Sequence, residues 1–323
     1  MLNTHKITHK NIQDWYQIHG RLDLPWRTTN NPYHIYLSEV MLQQTQVKTV
    51  LERYYFPFLE KFPTLKALGK APLDDVLKMW EGLGYYNRAK NLHKTSTLVD
   101  TLPKNIDELI KLPGIGKNTA HAVATFAFNQ PVPIMEANVK RILCRLNKLK
   151  IPKEKELWEI AYRLIDKVNP FEYNQAMMDI GATLCLPKKP KCEICPLADI
   201  CQGKEEPTLY PTKKKRVVPT REQNIMLSVY NEKLSLTQRT GKFLHGLWGF
   251  ESVEVPLCAS EYIGEVTHAY THFKLICKIY VYDELDKEQD HYFSTQKIRK
   301  LAISKVDDKI LKLYLDIIRS NNY

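Results

Sequence analysis

Residues 185–201 read CLPKKPKCEICPLADIC and hold four of the chain's seven cysteines. Few features restrict a fold more, because thiolates that share one centre fix the backbone loops between them and the elements that carry those loops. Cys185, Cys192, Cys195 and Cys201 are separated by six, two and five residues, with Pro187, Pro190 and Pro196 stiffening the intervals. A disulfide framework is not the expected use. The N-terminal MLNTHKITHKNIQDWY has no apolar secretory core, and no run of about 18 uncharged apolar residues occurs, so a reducing, cytoplasmic setting is expected. Four soft thiolates suit one soft metal centre. Structural zinc usually draws two ligand pairs from separate knuckles, whereas a compact run of four is one way a four-iron four-sulfur cluster is held. Lys188, Lys189 and Lys191 fall between the ligands and would face outward as phosphate contacts. Cys144, Cys258 and Cys277 stand apart and are not expected to be ligands.

The middle of the chain offers a second place for an anion. NIDELIKL reads as a helix, LPGIGKNT as a tight glycine turn and TAHAVATFAF as an apolar helix, which puts Gly114, Gly116 and Lys117 at a helix N-terminus. Such turns also simply join helices. A net charge of +11, from 47 Lys and Arg against 36 Asp and Glu, suits a polyanionic partner without requiring one. Upstream, PYHIYLSEVMLQQTQVKTVLERYYFPFLEKF has apolar residues at 40, 47, 51, 54 and 58, the period of a buried-faced helix or helix pair. Glu39 lies there among Leu37, Val40 and Met41, where desolvation would raise its pKa; the plain alternative is a helix-surface glutamate.

Together these segments resemble the helix-hairpin-helix DNA glycosylases that include endonuclease III, and more specifically the MutY adenine DNA glycosylases. LPGIGKNTA and the cysteine spacing carry the broader likeness; SEVMLQQTQV, WEGLGYYNRAKNLHK, NQAMMDIGATLC and THAYTHFKL, in that order, carry the narrower one. The resemblance implies a mainly α N-terminal glycosylase domain over 1–207, with a six-helix subdomain at about 28–137. An iron-sulfur subdomain would be built from 1–27 and 138–207. It implies one 4Fe-4S cluster on Cys185, Cys192, Cys195 and Cys201, and a monomer that acts on double-stranded DNA containing 8-oxoguanine:adenine or guanine:adenine mispairs.

The same resemblance assigns roles. Glu39 would protonate an adenine flipped out of the duplex. Gln43, Gln44, Leu83 and Tyr85 would wedge into the helix or press on the opposite base, although Leu83, Tyr85 and Tyr86 also read as packing after a glycine turn. Gly114, Gly116, Lys117, Asn118 and Lys140 would meet DNA. Endonuclease III-type lyases carry a Schiff-base lysine where this chain has Asn118, so a monofunctional glycosylase is expected. One departure is larger: the family's Asp-Gly-Asn-Val-Lys is Glu136-Ala137-Asn138-Val139-Lys140 here. Glu136 would be the carboxylate that stabilises the sugar cation, supported by Asn138, but its extra methylene could shift the charge by about 1 Å. A Glu136–Lys140 ion pair without catalytic meaning is the alternative, with Asp179 as the next candidate carboxylate.

Residues 208–222, within KEEPTLYPTKKKRVVPTREQ, read as an exposed linker. Beyond it, NIMLSVY and HFKLICKIYVY alternate like strands, and KVDDKILKLYLDIIRS reads as a closing amphipathic helix, giving an α+β domain over 223–323. It resembles the Nudix-like domain of MutY, with Tyr270, Thr271 and His272 where the family's lesion-touching loop stands; a strand-entry turn is the alternative. No clustered-glutamate hydrolase signature accompanies it. Two other functions stay open: an endonuclease III-like glycosylase/lyase, and a mismatch-binding protein whose catalysis is reduced by Glu136.

Overall fold

The computed structural model describes residues 2–212, 217–241, 243–284 and 291–321, with side chains from 8 to 320. Its contacts divide the chain into two compact units, one of Met1–Gly69 with Lys94–Lys214 and one of Lys70–His93 with Lys215–Tyr323.

The helices in chain order are α1 (Leu2–His19), α2 (Pro32–Leu42), α3 (Val47–Arg53), α4 (Tyr55–Lys61), α5 (Leu65–Lys70), α6 (Leu73–Met79), α7 (Asn87–Leu98), α8 (Ile106–Lys111), α9 (Lys117–Phe128), α10 (Ala137–Leu146), α11 (Glu154–Leu164) and α12 (Pro170–Thr183). α2 starts where Asn31 accepts from the amides of Tyr33 and His34, with Pro32 at the first helical position. It stops at Gln43, and Gln44 turns left-handed at φ 58°. The periodic stretch is therefore three helices, α2, α3 and α4; of its marker residues Val40, Tyr54 and Phe58 are buried, and Val47 and Leu51 are half-buried.

Two apolar clusters among the described residues of the first unit hold the helices that position the site. Ile35 of α2 meets Ala122 and Phe126 of α9 and Ile134 beyond it. The other packs Ile12 and Tyr16 of α1 against Ile142 and Leu143 of α10, Leu157 of α11 and Met177 of α12, with Cys185, Cys195 and Cys201 on its edge. α1 thus joins the helices nearest the cysteine run.

The second unit carries strands β1 (Thr220–Tyr230), β2 (Lys233–Ser235), β3 (Thr237–Gln238), β4 (Trp248–Gly249), β5 (Glu251–Val253), β6 (Glu261–Ala269), β7 (Lys274–Asp283) and β8 (Tyr292–Phe293). The main sheet runs β6-β7-β1-β2-β8, with β5 also on β1; β1 and β7 are parallel, and β6 and β7 form an antiparallel hairpin. Helices α13 (Thr295–Ile298) and α14 (Lys305–Asn321) follow, and Val306, Ile310 and Tyr314 of α14 pack with Ile225, Leu227 and Ile279 of the sheet. This is the expected α+β domain.

Two boundaries differ from the sequence reading. The linker ends early, since Thr220 already pairs with Lys274, and it starts packed, with Tyr210 buried and its carbonyl bound by Arg145. Its lysine run at 213–216 lies outside the described residues. Residues 70–93, read within the six-helix subdomain, group with the C-terminal domain because Asp74, Lys78 and Tyr86 bond to it.

Candidate active site and iron-sulfur loop

α2 is apolar almost all round, and Glu39 is its one acidic side chain. Glu39 is half-buried, and protein encloses it closely enough to change its chemistry. Burial, reinforced by repulsion from Glu136 and partly offset by Arg27, pushes its pKa up to about 8. At neutral pH it carries a proton.

Glu136 is the residue before α10 and makes no side-chain cap bond of its own. Burial raises its pKa as well, but a hydrogen bond with Asn138 and the nearby guanidiniums of Arg21, Arg141 and Arg27 pull the other way. The two carboxyls thus sit in unlike surroundings: the stronger push holds the proton on Glu39, and the donors around Glu136 favour charge there. Arg141 ties this end of α10 to the cysteine loop, donating to Asn138 Oδ1 at 3.0 Å, Gly181 O at 2.6 Å and Cys185 O at 2.7 Å.

Asp179 does not compete for the role. It is fully buried, takes two bonds from Arg27 at 2.7 and 2.9 Å, and takes the amide and guanidinium of Arg21. With its lone pairs occupied and its pKa held low by these partners against burial, it anchors the N-terminal segment to α12. The Glu136–Lys140 pair is absent too: Lys140 reaches Glu154 at 3.3 Å.

The glycine turn forms between α8 and α9. Gly114 has φ 72°, and at Gly116, which precedes α9, a side chain would meet open space, so the backbone is approachable there. Lys117 is held 3.9 Å over the Trp158 ring, and Asn118 Oδ1 accepts the Met135 amide at 2.8 Å. Exposed Gln43 bonds Thr119 Oγ1 at 3.4 Å, and Gln44 is exposed beside it. In the second unit Leu83 is 7% exposed and Tyr85 40%, so Leu83 packs inward and Tyr85 faces out. Tyr270 lies among Phe243, Phe273 and His268, while Thr271 and His272 form the exposed tip of the β6–β7 hairpin, closed by Tyr270 N donating to Phe273 O at 2.9 Å.

Sequence reading missed Arg21 and Arg27, whose significance lies in the distant Asp179 they reach, and Arg141, whose bonds go to Asn138, Gly181 and Cys185. It also missed Gln175, whose buried amide oxygen has no hydrogen-bond partner. Gln175 lies inside the quoted NQAMMDIGATLC, but nothing in its spacing marks it.

Cys185, Cys192, Cys195 and Cys201 line one small cavity, whereas Cys144 is buried in a core of the first unit, Cys277 is buried in the core of the second, and Cys258 is exposed. Among the described residues no three His, Cys, Asp or Glu converge as a single-ion site. Four thiols lining one cavity would suit a four-iron four-sulfur cluster, which is held by four cysteine thiolates. Burial pushes Cys195 up to about 11 and raises Cys192 and Cys201, with neighbouring thiols adding repulsion, so joint ionisation calls for a compensating cation. Arg145 donates to Cys185 Sγ at 3.2 Å and to Leu186 O and Pro207 O at 2.8 Å, while Lys188, Lys189 and Lys191 are exposed.

A helical hairpin with an enclosed carboxyl behind it and a four-cysteine loop beyond it define a helix-hairpin-helix base-excision glycosylase. Residues 37–167 match the family model described as HhH-GPD superfamily base excision DNA repair protein, and residues 185–201 match the iron-sulfur binding domain of endonuclease III. The chain is 38% identical over 255 residues to the adenine DNA glycosylase of Buchnera aphidicola subsp. Baizongia pistaciae, spanning 75% of this chain and 71% of that one. It is 41% identical over 219 residues to that of the Schizaphis graminum strain, spanning 64% of this chain and 63% of that one. Among solved structures it resembles a thermostable thymine-DNA glycosylase, with a TM-score of 0.59 at 29% identity over 63% of this chain and 98% of that one. The chain belongs to the adenine DNA glycosylase family, DNA N-glycosylases of base-excision repair, and its four-cysteine loop is the family's 4Fe-4S site.

Proposed function

We propose that this chain removes adenine paired with 8-oxoguanine or guanine in double-stranded DNA, as a monofunctional glycosylase. What carries the reading is the enclosure of Glu39 with Glu136 nearby, which pushes its pKa up to about 8 and so favours a carboxyl able to act as general acid at neutral pH. Glu39 delivers its proton to a ring nitrogen of the flipped adenine, and the electron pair of the C1′–N9 bond then leaves with a neutral base. The sugar becomes oxocarbenium-like, the Glu136 carboxylate stabilises it, and water adds to C1′ to give the abasic site, its surplus proton returning to the Glu39 carboxylate. Asn138 holds Glu136 through the hydrogen bond described above.

Backbone at Gly114 and Gly116 approaches a phosphate, with Lys117, Asn118 and Lys140 close by along α9 and α10. Gln43, Gln44 and Tyr85 meet the opened duplex, and inward-facing Leu83 supports Tyr85. The C-terminal domain is read as Nudix-like, and its hairpin tip, Thr271 and His272 backed by Tyr270, meets the base opposite adenine. A glycosylase/lyase is disfavoured, because Asn118 has no amine and the Lys117 ammonium lies over Trp158.

Single-turnover reaction with duplexes carrying one 8-oxoguanine:adenine, guanine:adenine or thymine:adenine pair tests the reading. Alkali-revealed abasic sites are expected from the first two only. Strand breaks without alkali, on a duplex with an oxidised pyrimidine, would favour the lyase instead.

A further inference from the structure

The loop between α6 and α7 is braced from within. Trp80 Nε1 donates to Gly84 O at 3.1 Å, and Arg88 donates to Leu83 O at 3.3 Å and Gly84 O at 3.1 Å. The Arg88 guanidinium lies 5.4 Å from both the Trp80 and Tyr85 ring centroids. Gly82, Gly84 and Tyr85 all have positive φ, of 86°, 78° and 51°. For a tyrosine that conformation is costly, and it persists where the surroundings over-determine it.

The same loop is also tied at its base. Lys78, near the end of α6, donates to Arg299 O at 2.7 Å and Leu301 O at 2.9 Å and pairs with Glu81 at the start of the loop. At the far end Tyr86 donates to Ile303 O at 3.3 Å. All these residues belong to one compact unit, which also carries the β6–β7 hairpin. Three donors on one ammonium are shared between two backbone carbonyls of the C-terminal domain and one carboxylate of the loop.

We propose that Lys78 is a positioning residue that ties the Tyr85 loop to segment 299–303, so that the C-terminal domain sets where Tyr85 enters the duplex. The proposal rests on the reading of Tyr85 as a duplex-entering residue. Because the loop is braced by Trp80 and Arg88, a shift at Lys78 is carried to Tyr85 instead of being absorbed along the way. A displacement of about 1 Å at a residue that positions substrate can cost on the order of 100-fold in rate.

The test uses the full chain. Lys78→Met keeps the stem and removes the donors, and Lys78→Arg keeps donors. Two quantities are read: amide hydrogen exchange over residues 80–86, and single-turnover adenine excision opposite 8-oxoguanine and opposite guanine. In Lys78→Met, exchange over 80–86 is expected to quicken about tenfold or more. Excision opposite 8-oxoguanine is expected to fall about tenfold and excision opposite guanine by less, with Lys78→Arg within about twofold of the parent. Unchanged exchange over 80–86, or an equal fall on both substrates, overturns the proposal. A parent protein without preference between the two pairs would refute the substrate reading, and the exchange result then decides the tether alone. Should Lys78→Met not fold, Tyr86→Phe keeps the buried ring and loses both the bond to Ile303 O and the one its hydroxyl accepts from Gly82 N, so exchange is read over 83–86, where it is expected to quicken about threefold, and no change overturns the proposal.

Discussion

Glu39 and Glu136, the two carboxyls proposed to share the chemistry, sit in different surroundings. Glu39→Gln preserves shape and hydrogen-bonding reach but has no acidic proton, so excision is expected to fall 100-fold or more, on the order of 3 kcal/mol, while DNA binding measured by titration persists. The same substitution should stabilise the fold at high pH. A carboxyl whose folded pKa is raised contributes stability at low pH that is lost as pH climbs through its folded value, here about 8, and the glutamine has nothing to lose. Above that pH the variant should melt at a higher temperature than the parent; a lower melting point would contradict the burial that raises the Glu39 pKa. At the second carboxyl, Glu136→Asp restores the shorter reach and is expected to raise the single-turnover rate, whereas Glu136→Gln is expected to abolish excision. Unchanged excision in Glu136→Gln would mean that this side chain does not stabilise the cation, and Asp179, saturated by Arg21 and Arg27, could not replace it.

At the scale of elements, the cysteine loop depends on more than its ligands. Purified without oxygen, the protein is expected to be brown with about four irons per chain; one zinc and no iron would contradict the cluster. Arg145 lies 3% exposed beneath the loop and satisfies several of its carbonyls and one sulfur. Arg145→Met leaves those acceptors unpaired, so a loss of about 3 kcal/mol or more is expected by denaturant titration, with iron content falling in step. The cysteine loop and the glycine turn were legible in the sequence because each is formed by residues close together in the chain, whereas the surroundings of Glu39 include Glu136 and Arg27, which its own segment does not show. Arg145 was not legible, because a buried arginine takes its meaning from acceptors about 40 to 65 residues away. The division into α2, α3 and α4 was hidden for a related reason: apolar period continues through Gln43 and Gln44, and only backbone dihedrals show the break. The end of the linker was hidden too, since Thr220, Arg221 and Glu222 look solvated and become strand only through pairing with β7.

For the molecule as a whole, the C-terminal domain is proposed to read the base opposite adenine and to hold the Tyr85 loop. A chain ending at residue 222 is expected to keep some excision from guanine mispairs and to lose its preference for 8-oxoguanine. It should also melt lower, because Lys78 and Tyr86 lose their carbonyl partners. An unaltered preference would assign lesion reading to the N-terminal residues. The central claim is that Glu39 is the proton donor, and the most direct measurement is the pH dependence of the single-turnover excision rate from pH 5.5 to 9.5 on an 8-oxoguanine:adenine duplex. The protonated form is the active one, so the rate should be sustained below a pH of about 8 and fall about tenfold per unit above it, with the fall missing from the residual activity of Glu39→Gln. A parent rate that stays level or rises through that range would contradict the account.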